Sequence, residues 1–282
     1  MPDERLKKIS KISKSIKTIS AAITFVDIAG LVKGASKGEG LGNKFLSHVR
    51  ETDTIIHLTR CFESEKIQNV NKNVDPVRDI EIIETEILLS DLESLQKRLE
   101  KNNKKKIEDE ELNFLEEAFK LINNGKIPKE LNKKFDEDLI KKSGLLSLKP
   151  RIIVCNVDEK SLPGGNEHSD ACKKKFPNDS VIIVCAEIED QIMGLKLEDR
   201  KEFMLESGIK NTGLNNLIKT GYNTLGLSTF FTSGPEESRA WTIKNNSTAP
   251  EAAGVIHTDF KKKFIRAETV TFEDFIKHNG FN

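Results

Sequence analysis

Between residues 80 and 122 apolar positions recur at spacings of three and four. Ile80, Ile83, Ile87, Leu88, Leu92, Leu95 and Leu99 fall along one stripe of a helix, flanked by charge. Asp75-Pro76 marks the boundary before it. After a polar break at Lys101 to Lys106, a second stripe runs through Leu112, Leu115, Phe119 and Ile122 and stops at Asn123-Asn124-Gly125. Two such helices joined by a charged turn form an antiparallel hairpin; the same stripes also suit two amphipathic helices packed on a globular core.

Elsewhere the apolar runs are continuous and short. Ile152 to Cys155, following Pro150, and Val181 to Cys185 suit strands buried on both faces of a parallel sheet. Thr54 to Arg60 and Ile23 to Val26 are also β-like, and helical segments around Ser169 to Lys175 and Arg200 to Ser207 alternate with the strands. This order predicts an α/β fold. The run at Ile23 leads into Asp27-Ile28-Ala29-Gly30, a glycine-dense stretch from Gly34 to Gly42, and a helix over Asn43 to Arg50. From about Ser228 the helical stripes thin out, the only Trp appears, and a domain boundary is expected.

Charge adds little, because 45 basic and 45 acidic side chains cancel and no global field draws the chain to nucleic acid or membrane. Lys261 to Lys263 with Arg266 make a local basic patch, or simply a solvated face. Cys61, Cys155, Cys172 and Cys185 contain no C-x-x-C pair and read as reduced core thiols of a cytoplasmic protein. His57, inside an apolar run, reads as a core histidine. No apolar run of ~18 residues suggests a membrane span or a secretory leader.

In an open parallel sheet, ligands bind beyond the carboxyl ends of the strands. Three loops leave such ends here: Asp27 to Gly30, Asn156 to Glu159, and Cys185 to Glu187. An aspartate in this place suits Mg²⁺ held through water, and Gly30 can bring a backbone N–H to a terminal phosphate. The bland alternatives are a strand ending in a tight turn, a flexible glycine-rich linker, and an Asn156 that only caps a turn.

The string from Phe25 to Asn43, together with Arg50-Glu51-Thr52, Arg60-Cys61-Phe62, Asp79-Ile80-Glu81, Lys149-Pro150, Arg239 to Ile243, Ala249-Pro250 and Gly254 to Phe260, resembles the YchF family, the Obg-like ATPases. The similarity runs along essentially the whole chain. It implies a P-loop-NTPase-like, mainly parallel sheet with an inserted α-helical coiled-coil hairpin, followed by a small β-grasp-like TGS domain. The G domain would occupy 1–227, with the insertion at about 76–145, and the TGS domain 228–282. The resemblance also implies ATP and Mg²⁺ as cofactors, and the ribosome, with RNA, as partner; no DNA specificity and no membrane are expected. Asn156 and the backbone of Val157 would read adenine, with Glu187 nearby, and Asp27 would hold Mg²⁺ through water. Guanine-specific relatives use N-K-x-D, whose Asp accepts two hydrogen bonds from guanine; Glu159 in that place alters the geometry.

Two departures bear on hydrolysis. Leu31 follows D-x-x-G where Ras-like enzymes carry a water-orienting glutamine, and Asn69 lies where many family members have a histidine, so no catalytic group is assigned. No G-x-x-x-x-G-K-S/T occurs in these residues, and the resemblance places that motif upstream of Met1 and the final TGS strands beyond Asn282. The sequence therefore reads as an ATPase truncated at both ends and unable to hydrolyse ATP alone. The alternative is a non-catalytic ribosome- or RNA-binding module acting through the TGS domain and the hairpin.

Overall fold

The computed structural model describes residues 3–28, 48–65, 67, 73–102 and 109–280. They belong to two compact units, one spanning Val26–Asn216 and one assembled from Met1–Phe25 with Leu217–Asn282. The first 25 residues thus fold with the C-terminal ones. Among the described residues the strands are β1 (Lys17–Ile19), β2 (Ile55–Arg60), β3 (Arg151–Asn156), β4 (Ser180–Val184), β5 (Leu227–Ser233) and β6 (Glu237–Lys244).

In the larger unit, β2, β3 and β4 form a parallel sheet in that order. The continuous apolar run places β3 in the middle, where Ile152, Ile153, Val154 and Cys155 are all buried. Helices Glu167–Lys175, Ala186–Gly194 and Leu197–Glu206 follow the strands. Ile188, Ile192 and Cys172 close over Ile153 and Cys155 in one core. The parallel α/β expectation is met. The sheet order aligns Arg60, Asn156 and Val184, so the carboxyl ends of all three strands lie side by side.

The two stripes form helices Pro76–Asn102 and Asp109–Asn123. Leu95, Phe114, Leu115, Ala118 and Ile122 bury one another, with Leu131, Leu145 and Leu148 beneath. The insertion is thus a helical pair with its own core. Asp91 ties it down. Its buried carboxylate accepts the amides of Leu146 at 3.0 Å and Ser147 at 2.8 Å. Burial pushes this carboxyl above its ordinary range, while those two amides and Arg50 oppose the shift. Asp91→Ala would leave two amides unpaired and is expected to lower stability by about 2 kcal/mol. Urea unfolding checks this, and a loss below about 0.5 kcal/mol would contradict it.

One expected strand is not formed. Residues 23–26 are extended but pair with no strand among the described residues, and Phe25 and Val26 are 45% and 55% exposed. A β-like run becomes a strand only when a neighbour supplies its ladder.

The second unit is built on a sheet in the order β1-β6-β5, with β1 parallel and β5 antiparallel to β6. The helix Glu4–Ile12 starts at Asp3, whose carboxylate accepts the Arg5 amide at 2.9 Å. Its Leu6 packs with Ala21, Ala240 and Phe231. Trp241 donates its indole N–H to Thr232 at 2.9 Å, and the Arg239 guanidinium lies 4.1 Å from the Trp241 ring centroid. Helices Ala249–Ile256, Thr258–Lys262 and Phe272–Lys277 complete the unit. Lys261, Lys262, Lys263 and Arg266 are all exposed. No described helix is long and apolar enough to cross a membrane.

Candidate nucleotide-base site

Asn156 is the last residue of β3, and its position there is set by ladder pairing with Arg60 on one side and Val184 on the other. Its side-chain Oδ1 accepts the backbone N–H of Ala186 at 3.0 Å. Ala186 opens the helix Ala186–Gly194, so this bond joins the loop after β3 to the loop after β4. Two of the three strand-end loops singled out in the sequence therefore meet. The signal for Asn156 was its place after an apolar run; nothing in the sequence marked Ala186 as its partner.

Val157 is 2% exposed and donates its amide to the carbonyl of Val184 at 2.8 Å. That N–H is committed within the protein. Asp158 is also committed, because its carboxylate accepts the Ser161 hydroxyl within the same turn. Glu159 begins the short 3-10 turn Glu159–Ser161 and is exposed. The place of the guanine-reading aspartate in N-K-x-D is taken here by Glu159.

Glu187 is exposed in the first turn of Ala186–Gly194, where the helix dipole favours an acid. Two residues on, Glu189 accepts the amides of Gly213 at 2.5 Å and Leu214 at 3.3 Å and caps the helix Gly213–Thr224. Gly213 has no room for a side chain, since a Cβ there would meet Val184 Cγ2 at 2.7 Å.

Asp27 is described and exposed, in unpaired extended chain. Gly30, Leu31, the glycine-dense stretch and Asn69 lie outside the described residues. Of the helix that follows the glycines, residues 48–51 are described. Lys149 holds the end of that helix by donating its ammonium to the carbonyls of Val49 at 2.8 Å, Arg50 at 2.7 Å and Thr52. Burial draws the Lys149 pKa downward. Lys149-Pro150 thus leads into β3 while clamping the segment that leaves the glycine-rich stretch.

His57 is buried, as its apolar setting suggested. Burial, and secondarily the charge of Arg151, push its pKa down to about 4.

Residues 227–282 match the family model YchF-GTPase_C, described as a protein of unknown function (DUF933), and residues 9–87 match a model described as 50S ribosome-binding GTPase. The "Ribosome-binding ATPase YchF" of Bacillus subtilis is 44% identical over 99% of this chain and 79% of that protein. Its namesake from Escherichia coli O157:H7 is 43% identical over the same shares. The solved structure of the Schizosaccharomyces pombe YchF GTPase superposes with a TM-score of 0.81 at 35% identity, covering 100% of this chain and 79% of that one.

Proposed function

The chain belongs to the YchF family, and from that membership we propose that it is a ribosome-associated protein whose Asn156 loop selects ATP. The observation that carries the base assignment is the 3.0 Å bond between Asn156 Oδ1 and the Ala186 amide. With Oδ1 fixed, the Asn156 amide nitrogen is left as a donor toward the base edge, where adenine offers ring-nitrogen acceptors. The Val157 carbonyl faces the complementary task, accepting from adenine's exocyclic amine. Guanine presents an oxygen in place of that amine and finds no aspartate fork in return, so the loop discriminates against it.

Mg²⁺ fits the same reading. Asp27 is an exposed carboxylate at the head of the segment that matches the family's D-x-x-G, a hard oxygen donor suited to bind the ion through water. Bound there with ATP, Mg²⁺ would neutralise charge on the terminal phosphates. Gly30, Glu159 and Glu187 complete the proposed nucleotide-contacting set. The 282 residues contain no G-x-x-x-x-G-K-S/T, and so lack the backbone amides and lysine with which that motif cradles the phosphates. These residues by themselves are therefore not expected to hydrolyse ATP.

The base reading is tested with nucleosides, which need no phosphate cradle. In amide-resolved NMR, adenosine at about millimolar concentration, an affinity near 4 kcal/mol, is expected to shift the amides of Ala186 and Glu187. Guanosine is expected to leave them in place, and Asn156→Ala to remove the adenosine response. Equal responses to both nucleosides would overturn the assignment. Ribosome association is checked by co-sedimentation with purified ribosomes, and recovery of the protein only in the supernatant would count against it.

A further inference from the structure

Cys61, Cys155 and Cys172 come from three separate elements: the residue after β2, the interior of β3, and the helix Glu167–Lys175. Each is 0% exposed. Their sulfur atoms all lie within 4.8 Å of one another, and no fourth His, Cys, Asp or Glu ligand atom joins the group among the described residues. Cys185 belongs to the same buried core but stays outside this triangle.

We propose that this triangle is a binding site for a soft, three-coordinate metal ion of the Cu(I) type. Metal–thiolate bonds of about 2.3 Å in a planar three-sulfur arrangement set the sulfurs about 4 Å apart, so closure around an ion needs movements below about 1 Å. Donor number selects among thiophilic ions. Structural zinc is almost always four-coordinate, and here there is neither a fourth ligand among the described residues nor exposure of these thiols to solvent that would supply water. Soft thiolates with no oxygen donor favour Cu(I).

The frame around the thiols is already fixed. Cys61 is held by its own amide on the Asn156 carbonyl at 2.8 Å, and its carbonyl accepts the Asn166 side-chain amide at 2.6 Å. Asn166 in turn caps the helix that carries Cys172, forming a capping box with Ser169. Lys173 brings positive charge toward Cys155, and His168 does so toward Cys172 when protonated, with Asp75 opposing at Cys172. On loading, each ligating sulfur exchanges its S–H bond for an S–metal bond and releases the proton to solvent. The ion would tie the ends of β2 and β3 to one helix, one residue from Asn156.

The test is an anaerobic titration of the reduced protein with Cu(I) against a chromophoric Cu(I) chelator, combined with thermal unfolding. One equivalent per chain is expected to leave the chelator and to raise the Tm, because an ion held by the native triangle stabilises the folded state. Cys155→Ala and Cys172→Ala are each expected to weaken binding at least 100-fold, whereas Cys185→Ala leaves it unchanged. Circular dichroism of the metal-free variants identifies any that fails to fold, and the Tm response of the unaltered protein decides the matter independently of them. Failure to compete with the chelator, a Tm lowered by Cu(I), or full binding by a folded Cys155→Ala protein would overturn the site.

Discussion

Replacing Arg151 with methionine is expected to lower the unfolding free energy by about 3–5 kcal/mol at pH 7, because breaking a buried ion pair leaves a charge without compensation. Arg151 begins β3, and its guanidinium pairs with both Glu84 and Asp179. The three side chains are only 9%, 17% and 7% exposed, so water cannot replace the lost partner. Burial alone would push the Asp179 carboxyl up; Arg151 and Lys129 more than reverse this and hold it below its usual range. Asp179 keeps Lys129 at 2.9 Å in the variant, whereas Glu84 is left facing a methyl group. Adding Glu84→Leu is therefore expected to return part of the loss. The cluster carries one defect, since the Arg151 Nε is buried without a hydrogen-bond partner among the described residues. Urea midpoints of the single and double variants measure both effects, and a single-variant loss under 1 kcal/mol would show that water reaches the cluster.

The second large effect is acid sensitivity through His57. Its folded pKa of about 4 lies below the ordinary 6.5, so the native state favours the neutral ring while the unfolded chain takes up a proton as pH falls below 6.5. The corresponding stability is fully present above pH 6.5, is lost as pH falls toward 4, and changes little below that. At about 1.4 kcal/mol per unit the loss is about 3 kcal/mol. Carboxylates titrate in the same window, so the readout is the difference between the unaltered protein and His57→Leu. The variant's stability is expected to be flatter between pH 6.5 and 4 by that amount, and parallel curves would refute the assignment. The two predictions interact: Arg151's positive charge helps depress His57, so Arg151→Met should narrow the His57 effect.

The helical pair and the three-strand parallel sheet were legible because their signals are local. Leu92 to Leu99 and Leu112 to Ile122 carry helical spacing within single segments, and Ile152 to Cys155 is apolar at every position. Boundaries moved by a residue or two, as for β4, which runs Ser180–Val184 where Val181 to Cys185 was expected. The run at Ile23 shows the limit of that signal, since its composition is β-like but a strand needs a partner. The pairing of β1 with β6 was invisible, because nothing in Lys17-Thr18-Ile19 states that its neighbour lies more than two hundred residues away. Asn156 could be singled out by position, but its grip on Ala186 depends on the alignment of two strands. The cysteines were readable as buried; their convergence was not, because contact in space leaves no trace in spacing.

The bond from Asn156 to Ala186 has a consequence for how base choice can change. Both partners sit immediately at strand ends, and Asn156 is paired with Val184 across the β3–β4 ladder. Sliding β4 by one residue would carry Ala186 out of reach and turn every β4 side chain to the opposite face of the sheet. Under the base assignment proposed above, nucleotide preference is tied to the same register that builds the core. Length changes between the turn Glu159–Ser161 and β4 leave both that register and the Asn156 loop untouched.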